Sequence, residues 1–293
     1  MRAGWLSIFA ILCWALLVGA QGGANGTQRA LDAALVHTRA VAVVLDGHDG
    51  RLLAVLRAEE AARIASAPGS TLKPLFLEAA LRQGKVRAET TVVCRGNLHI
   101  AGRNLACTHP RDESVFNAER ALAYSCNTWF ANLATRLTPE QAADVLRTYG
   151  LGSLPGFAVD DSAGLIRRPA NQAELQLLVL GLADVMVTPL QLARAYFRLA
   201  RNFDAVPVVR RGLEGSVEYG MAHNAATPGL TIAGKTGTAS DHGQSWTHGW
   251  FAGIAGRGTE RIVVVIYVPR GNGADAALLA HRFLAQWEGA AAE

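Results

Sequence analysis

The strand-forming runs of this chain stand near its two ends, and the long stretch between them, from about Ser114 to Ala200, carries helical signals. Near the start, Ala40-Val41-Ala42-Val43-Val44-Leu45 is a continuous apolar strand. Asp46-Gly47-His48-Asp49-Gly50 turns it and Leu52 to Leu56 return, which reads as a hairpin. Near the other end, Leu230-Thr231-Ile232-Ala233 leads into Gly234-Lys235-Thr236-Gly237-Thr238. Trp250 to Ala255 and Ile262 to Val268 follow, the last two joined across Gly256-Arg257-Gly258. Strands at both ends with helices between them predict one α+β body: an antiparallel sheet, with an all-helical lobe inserted beside it.

The helices mark their own starts. Thr138-Pro139-Glu140-Gln141 and Thr188-Pro189-Leu190-Gln191 each offer an N-cap, a Pro at the first helical position and a capping-box Gln; Asn171 with Glu174 makes a third start. Pro68-Gly69-Ser70 opens a helical run to Arg82-Gln83 that Gly84 stops. Pro74, about a turn in, fits only if that helix begins near Gly69 or Ser70, where the first amides are unpaired anyway. Ser70 is therefore expected at a helix N-terminus. The last stretch, Ala274 to Trp287, has helical length and Ala/Leu content.

Half of the 293 residues are apolar and only 18% are charged, which excludes a disordered or solvated chain. The formal charge of +4 comes without any run of five basic residues, so neither nucleic acid nor a polybasic membrane contact is expected. Met1-Arg2 precedes eighteen uncharged residues, Ala3 to Ala20, ending Val18-Gly19-Ala20. Residues 1–20 read as a secretory peptide or an uncleaved N-terminal anchor, and either places the folded part outside the cytoplasm. Residues 21–39 read as a linker and leading segment. Residues 40–289 read as a single domain, with an α/β part from 40–84 and 203–289 and a helical lobe from 85–202.

In an oxidising compartment Cys94 and Cys107 are candidates for a disulfide, because the segment between them holds two glycines that permit a hairpin-like return; two buried thiols are the alternative. Cys126 is left over. Of eight histidines, His242 and His248 stand six apart with no thiol or carboxylate pattern around them and read as loop or strand-edge residues. No metal and no cofactor is expected.

Three short motifs carry the chemistry. Ser70-Thr71-Leu72-Lys73 brings a hydroxyl and an amine to one helix face about a turn apart. The amine can serve as base if burial and positive neighbours make its proton labile, and free amides at the helix start stabilise negative charge. Ser125-Cys126-Asn127 supplies a second hydroxyl and an amide. Lys235-Thr236-Gly237-Thr238, on a strand, offers a cation and two hydroxyls to a carboxylate, with Gly237 leaving room at the strand edge. Each motif alone arises by chance; only three lysines exist, and two of them, Lys73 and Lys235, fall on motif positions.

In this order the motifs resemble those of the penicillin-recognising serine enzymes, and the chain resembles the transpeptidase domain of the penicillin-binding proteins from about Ala40 to Leu284. Val187-Thr188-Pro189-Leu190-Gln191 and His248-Gly249-Trp250-Phe251 add to the likeness. The resemblance implies an antiparallel sheet flanked by N- and C-terminal helices. It implies that Ser70 attacks a D-alanyl-D-alanine peptide or a β-lactam, with Lys73 as base, Ser125 as proton relay and Asn127 positioning Lys73 and the substrate amide. Lys235, Thr236 and Thr238 would hold the substrate carboxylate beside Gly237, and the amides of Ser70 and Thr238 would form the oxyanion hole. The implied partners are peptidoglycan stem peptides and β-lactams, in the periplasm or at the outer face of the cytoplasmic membrane. A serine β-lactamase ranks second, because no Glu-x-x-Leu-Asn segment supplies a deacylating base; a non-catalytic sensor or scaffold ranks third, because every reactive position is filled.

Overall fold

The computed structural model describes residues 26–110, 112–156 and 161–290. Its centre is a five-stranded antiparallel sheet. β1 (Val41–Asp46) and β2 (Leu52–Leu56) form the expected hairpin, and β3 (Thr231–Ala239), β4 (His248–Arg257) and β5 (Glu260–Val268) form the expected C-terminal meander. The spatial order is β2-β1-β5-β4-β3. A strand from the first part of the chain and one from the last thus pair inside the sheet, with Val43 opposite Val265, and β3 is left at an edge.

β1 is apolar from Val41 to Leu45 because both of its faces are covered. Val41, Val43 and Leu45 enter the core shared with the helical lobe, while Ala42 and Val44 enter a second core on the opposite face. That second core lies under α1, over residues 26–35, and α10 (Gly273–Ala290), which contribute Leu31, Leu35, Phe283 and Leu284. A strand buried on both sides loses the polar alternation of a half-exposed one.

On the other face and beyond lie α2 (Ala58–Arg63), α3 (Lys73–Arg82), α4 (Ala118–Ala123), α5 (Asn127–Ala134), α6 (Pro139–Thr148), α7 (Gln172–Val179), α8 (Pro189–Ala200) and α9 (Pro207–Glu218). The three helix starts read from the sequence are formed. Thr138 and Thr188 make complete capping boxes, and Asn171 accepts the amide of Glu174.

Four features differ from the sequence expectations. α1 occupies most of the stretch read as a linker; its fully buried Leu31 and Leu35 are only one turn apart, too brief a pattern to stand out beside the polar residues before it. α2 and α9 were not anticipated, although Pro207 at the start of α9 is a usable signal. Gly69–Leu72 is a 3-10 turn that runs directly into α3, so Ser70 sits in the opening turn rather than in the α-helix itself. The segment between Cys94 and Cys107 does return as a small ladder, His99–Ile100 against Arg103–Asn104, but the thiols remain free. The Cys94–Cys107 disulfide is not formed because Cys107 Sγ turns instead towards Cys126 and the Asn127 amide, and Cys94 Sγ towards His109 and Thr128.

Residues 1–20, read as a leader or anchor, lie outside the described residues. Among those described, no helix is long and apolar enough to cross a membrane.

Candidate active site

The segment Ser66 to Thr71 is gripped from several directions, chiefly through its peptide groups. Ser66 exchanges two backbone bonds with Val187, at 3.1 and 3.0 Å. The Ala67 amide donates to Asp241 Oδ1 at 2.9 Å, and the Ala67 carbonyl accepts both His248 Nε2 at 2.7 Å and Trp250 Nε1 at 3.0 Å. The Gly69 amide donates to Gly181 O at 2.9 Å, and the Thr71 carbonyl accepts the Tyr196 hydroxyl at 2.9 Å. A half-buried Ser70 is thereby presented from a rigid turn.

The edge strand β3 runs against this turn. Gly69 has φ +56°, and a Cβ there would lie 2.9 Å from Thr238 O and 3.1 Å from Thr238 N. A Cβ on Gly237 would lie 2.4 Å from Pro68 O and 3.4 Å from Ser70 N. The first and third motifs therefore share one cleft wall, in contact at main-chain distance, and only glycine at these positions permits it.

Lys73 starts α3 and is fully buried. Its ammonium donates to Asn127 Oδ1 at 2.6 Å, Ser125 O at 2.8 Å and Ser125 Oγ at 3.1 Å, which joins the first motif to the second. Burial pulls its pKa down from 10.5 to about 8, with the sulfurs of Cys126 and Cys107 partly opposing the shift. Ser125 reaches Lys73 from a left-handed backbone, φ +56°, at the turn between α4 and α5. Asn127 is fixed at both ends, since its Nδ2 donates to Leu105 O at 3.0 Å.

On β3, Lys235 is fully buried and donates to Thr236 O at 3.0 Å. Burial first, and the charge of Lys73 second, push its pKa well below the usual lysine value. A carboxylate beside Lys235 would favour its charged form against that burial. Thr236 Oγ1 donates to Met221 O at 3.3 Å. Thr238 Oγ1 accepts the Gly273 amide at 2.8 Å, so its own proton is available to a ligand oxygen.

Sequence reasoning assigned no role to Gly181, Tyr196 or Asp241, which position the reactive segment. Trp250 serves both packing and positioning. The ring does stack on Tyr267 at 4.4 Å, but its N–H holds Ala67 as well. His248, read as a strand-edge residue, is fully buried and shares that acceptor. The His-Gly-Trp run was visible in the sequence; its bond to a distant carbonyl was not.

The penicillin-binding protein transpeptidase domain model matches residues 40–285. This chain belongs to that family. Among curated relatives of the transpeptidase family, the peptidoglycan D,D-transpeptidase MrdA of Acinetobacter baumannii is 25% identical over 281 residues, covering 75% of this chain and 42% of its own length. Penicillin-binding protein 3 of Bacillus subtilis is 25% identical over 226 residues, covering 64% of this chain and 34% of its own length. The chain thus spans less than half the length of either. The D,D-transpeptidase domain of a peptidoglycan glycosyltransferase from Eggerthella lenta superposes with a TM-score of 0.79 at 21% identity, covering 89% of this chain and 80% of that one. The transpeptidase domain of penicillin-binding protein 3 from Burkholderia pseudomallei gives 0.77 at 23% identity, over 92% and 93%. The α+β transpeptidase architecture read from the sequence is the one this family has.

Proposed function

We propose that the chain is a serine acyl-transfer enzyme acting on D-alanyl-D-alanine stem peptides of peptidoglycan, as a D,D-transpeptidase or D,D-carboxypeptidase, and that penicillin acylates the same Ser70. The observation that carries this reading is the contact of Gly237 with the Pro68–Ser70 turn while Lys73 is bonded to both Ser125 and Asn127.

In this reading the substrate carboxylate is held by Lys235 and the Thr238 hydroxyl, joined by the Thr236 hydroxyl once it turns away from Met221 O. Neutral Lys73 takes the Ser70 hydroxyl proton as Ser70 Oγ bonds to the carbonyl carbon. The resulting oxyanion is held by the amides of Ser70 and Thr238, whose backbones the Gly69 contact brings close. Ser125 gives its proton to the departing nitrogen and is reprotonated by Lys73, leaving the acyl-enzyme, which an amine or water then takes over. An enzyme of this kind would work at the extracytoplasmic face, periplasmic or membrane-associated, with residues 1–20 read as its export or anchoring signal.

Fluorescent penicillin tests the reading. Durable labelling of the purified protein that disappears in Ser70→Ala supports it. Labelling that turns over rapidly, with hydrolysed drug accumulating, transfers the assignment to a β-lactamase. Absence of labelling leaves only a scaffold or sensor.

A further inference from the structure

The residue between Ser125 and Asn127 is Cys126, and it does not stand alone. The side chains of Cys94, Cys107, His109 and Cys126 each place one sulfur or nitrogen atom so that all four atoms lie within 4.8 Å of one another. Cys107 Sγ and Cys126 Sγ are 3.9 Å apart, close to the edge of about 3.8 Å that a tetrahedron with metal–sulfur bonds of about 2.3 Å requires. His109 Nε2 approaches Cys94 Sγ at 3.1 Å.

The histidine is also in the right form. Its Nδ1 lies 2.9 Å from Pro110 O, and a carbonyl can only accept, so Nδ1 carries a proton and Nε2 is the nitrogen turned to the sulfurs and left to bind a metal. Main-chain N–H groups point at the sulfurs as thiolates need: Asn127 N to Cys107 at 3.2 Å and Gly96 N to Cys94 at 3.4 Å. Cys94, His109 and Cys126 are buried, Cys107 is half-buried, and an open cavity of about 700 Å³ lined by Cys94, Cys107 and His109 gives an entry path.

We propose that Cys94, Cys107, His109 and Cys126 form a Cys3His site for a tetrahedral divalent ion of the zinc type, and that the ion fixes the turn carrying Ser125 and Asn127 towards Lys73. Three thiolates and one neutral imidazole are the donor set of closed, structural zinc sites, in which binding energy stabilises the fold. The placement explains what a disulfide does not: pairing any two of these sulfurs leaves the third thiol buried beside the bond. It also gives Cys126 a purpose as an anchor for the strained Ser125 turn, acting through position rather than touching substrate. The proposed effect on acylation rests on the serine-enzyme reading above; the metal site itself does not.

The full chain, reduced and reconstituted with Zn²⁺ or Co²⁺, provides the test. About one equivalent of zinc per chain is expected by elemental analysis, and the cobalt form should show the intense visible absorption and thiolate charge-transfer bands of tetrahedral sulfur ligation. Cys94→Ser and His109→Ala should each lower zinc affinity by at least tenfold and lower the melting temperature of the zinc-loaded chain relative to wild type. Chelation of the wild type should slow fluorescent-penicillin acylation, and added zinc should restore it. Wild-type cobalt spectra need no variant and so remain decisive if a substitution prevents folding. Failure of reduced wild type to take up either metal, octahedral cobalt spectra, or full affinity in both variants would overturn the site. Stoichiometric tetrahedral metal whose removal leaves the acylation rate unchanged would overturn the positioning role. Metal uptake with no penicillin labelling in any form would keep the site and sink the serine-enzyme reading instead.

Discussion

At the scale of single residues, the site is governed by two lysines that burial makes reluctant to stay charged. Lys73 accepts a proton only when neutral, so acylation by penicillin should climb about tenfold per pH unit below about 8 and level off above it. In the proposed mechanism Lys235 holds a carboxylate only when charged, and its own pKa is depressed, so the second-order rate should fall again at higher pH. Stopped-flow acylation across pH should show both limbs, and a profile flat through pH 8 would remove Lys73 as the base. Lys73→Ala should slow acylation by about 10²- to 10⁴-fold without loss of secondary structure. Gly237→Ala places a methyl 2.4 Å from a carbonyl oxygen that belongs to the reactive turn, where backbone has to yield on both sides. About 1–3 kcal/mol of stability should go with it, together with most of the labelling, as read by chemical denaturation and gel fluorescence.

At the scale of elements, the helix starts were the most legible part of the sequence, since a capping box is local chemistry that no distant contact overrides. Thr188 caps α8, the helix that lends Tyr196 to the reactive turn, and is itself buried. Thr188→Ala should cost about 1–2 kcal/mol and lower the melting temperature by several degrees, with the acylation rate of the folded fraction kept. A rate that falls much faster than stability would show that α8 positions the turn more directly. The strands were legible as well, because Val41–Leu45 and Ile262–Val268 are apolar runs of strand length bounded by turns. What escaped was written in relations between distant residues. α1 is held by α10 and the sheet, not by its own periodicity. His109 took its meaning only once folding set it beside three cysteines, although Cys107-x-His109 near two further thiols was there to be weighed. The three motifs could be named in order, but that Gly237 touches Pro68 could not be read from their spacing.

At the scale of the whole molecule, the sheet separates two cores with different duties. The one shared with the helical lobe surrounds the candidate site; the one beneath α1 and α10 contains no residue of the Ser70–Lys73, Ser125–Asn127 or Lys235–Thr238 motifs. Phe283, fully buried in the second core, therefore offers a control. Phe283→Ala should destabilise the domain by about 3–5 kcal/mol, yet at low temperature the folded protein should be labelled at the wild-type rate. Slow labelling by the folded form would mean that the two sides of the sheet are mechanically coupled.

The turn that presents Ser70 is tethered through its amides and carbonyls. A peptide group is the same in every residue except proline, so away from Gly69 and Ser70 the points by which the turn is tied do not depend on the turn's own side chains. Divergence is thereby steered: residues lining the approach are free to vary and to retune which acyl donors fit, while the reacting geometry persists. An architecture of this sort accumulates new specificities faster than new chemistries.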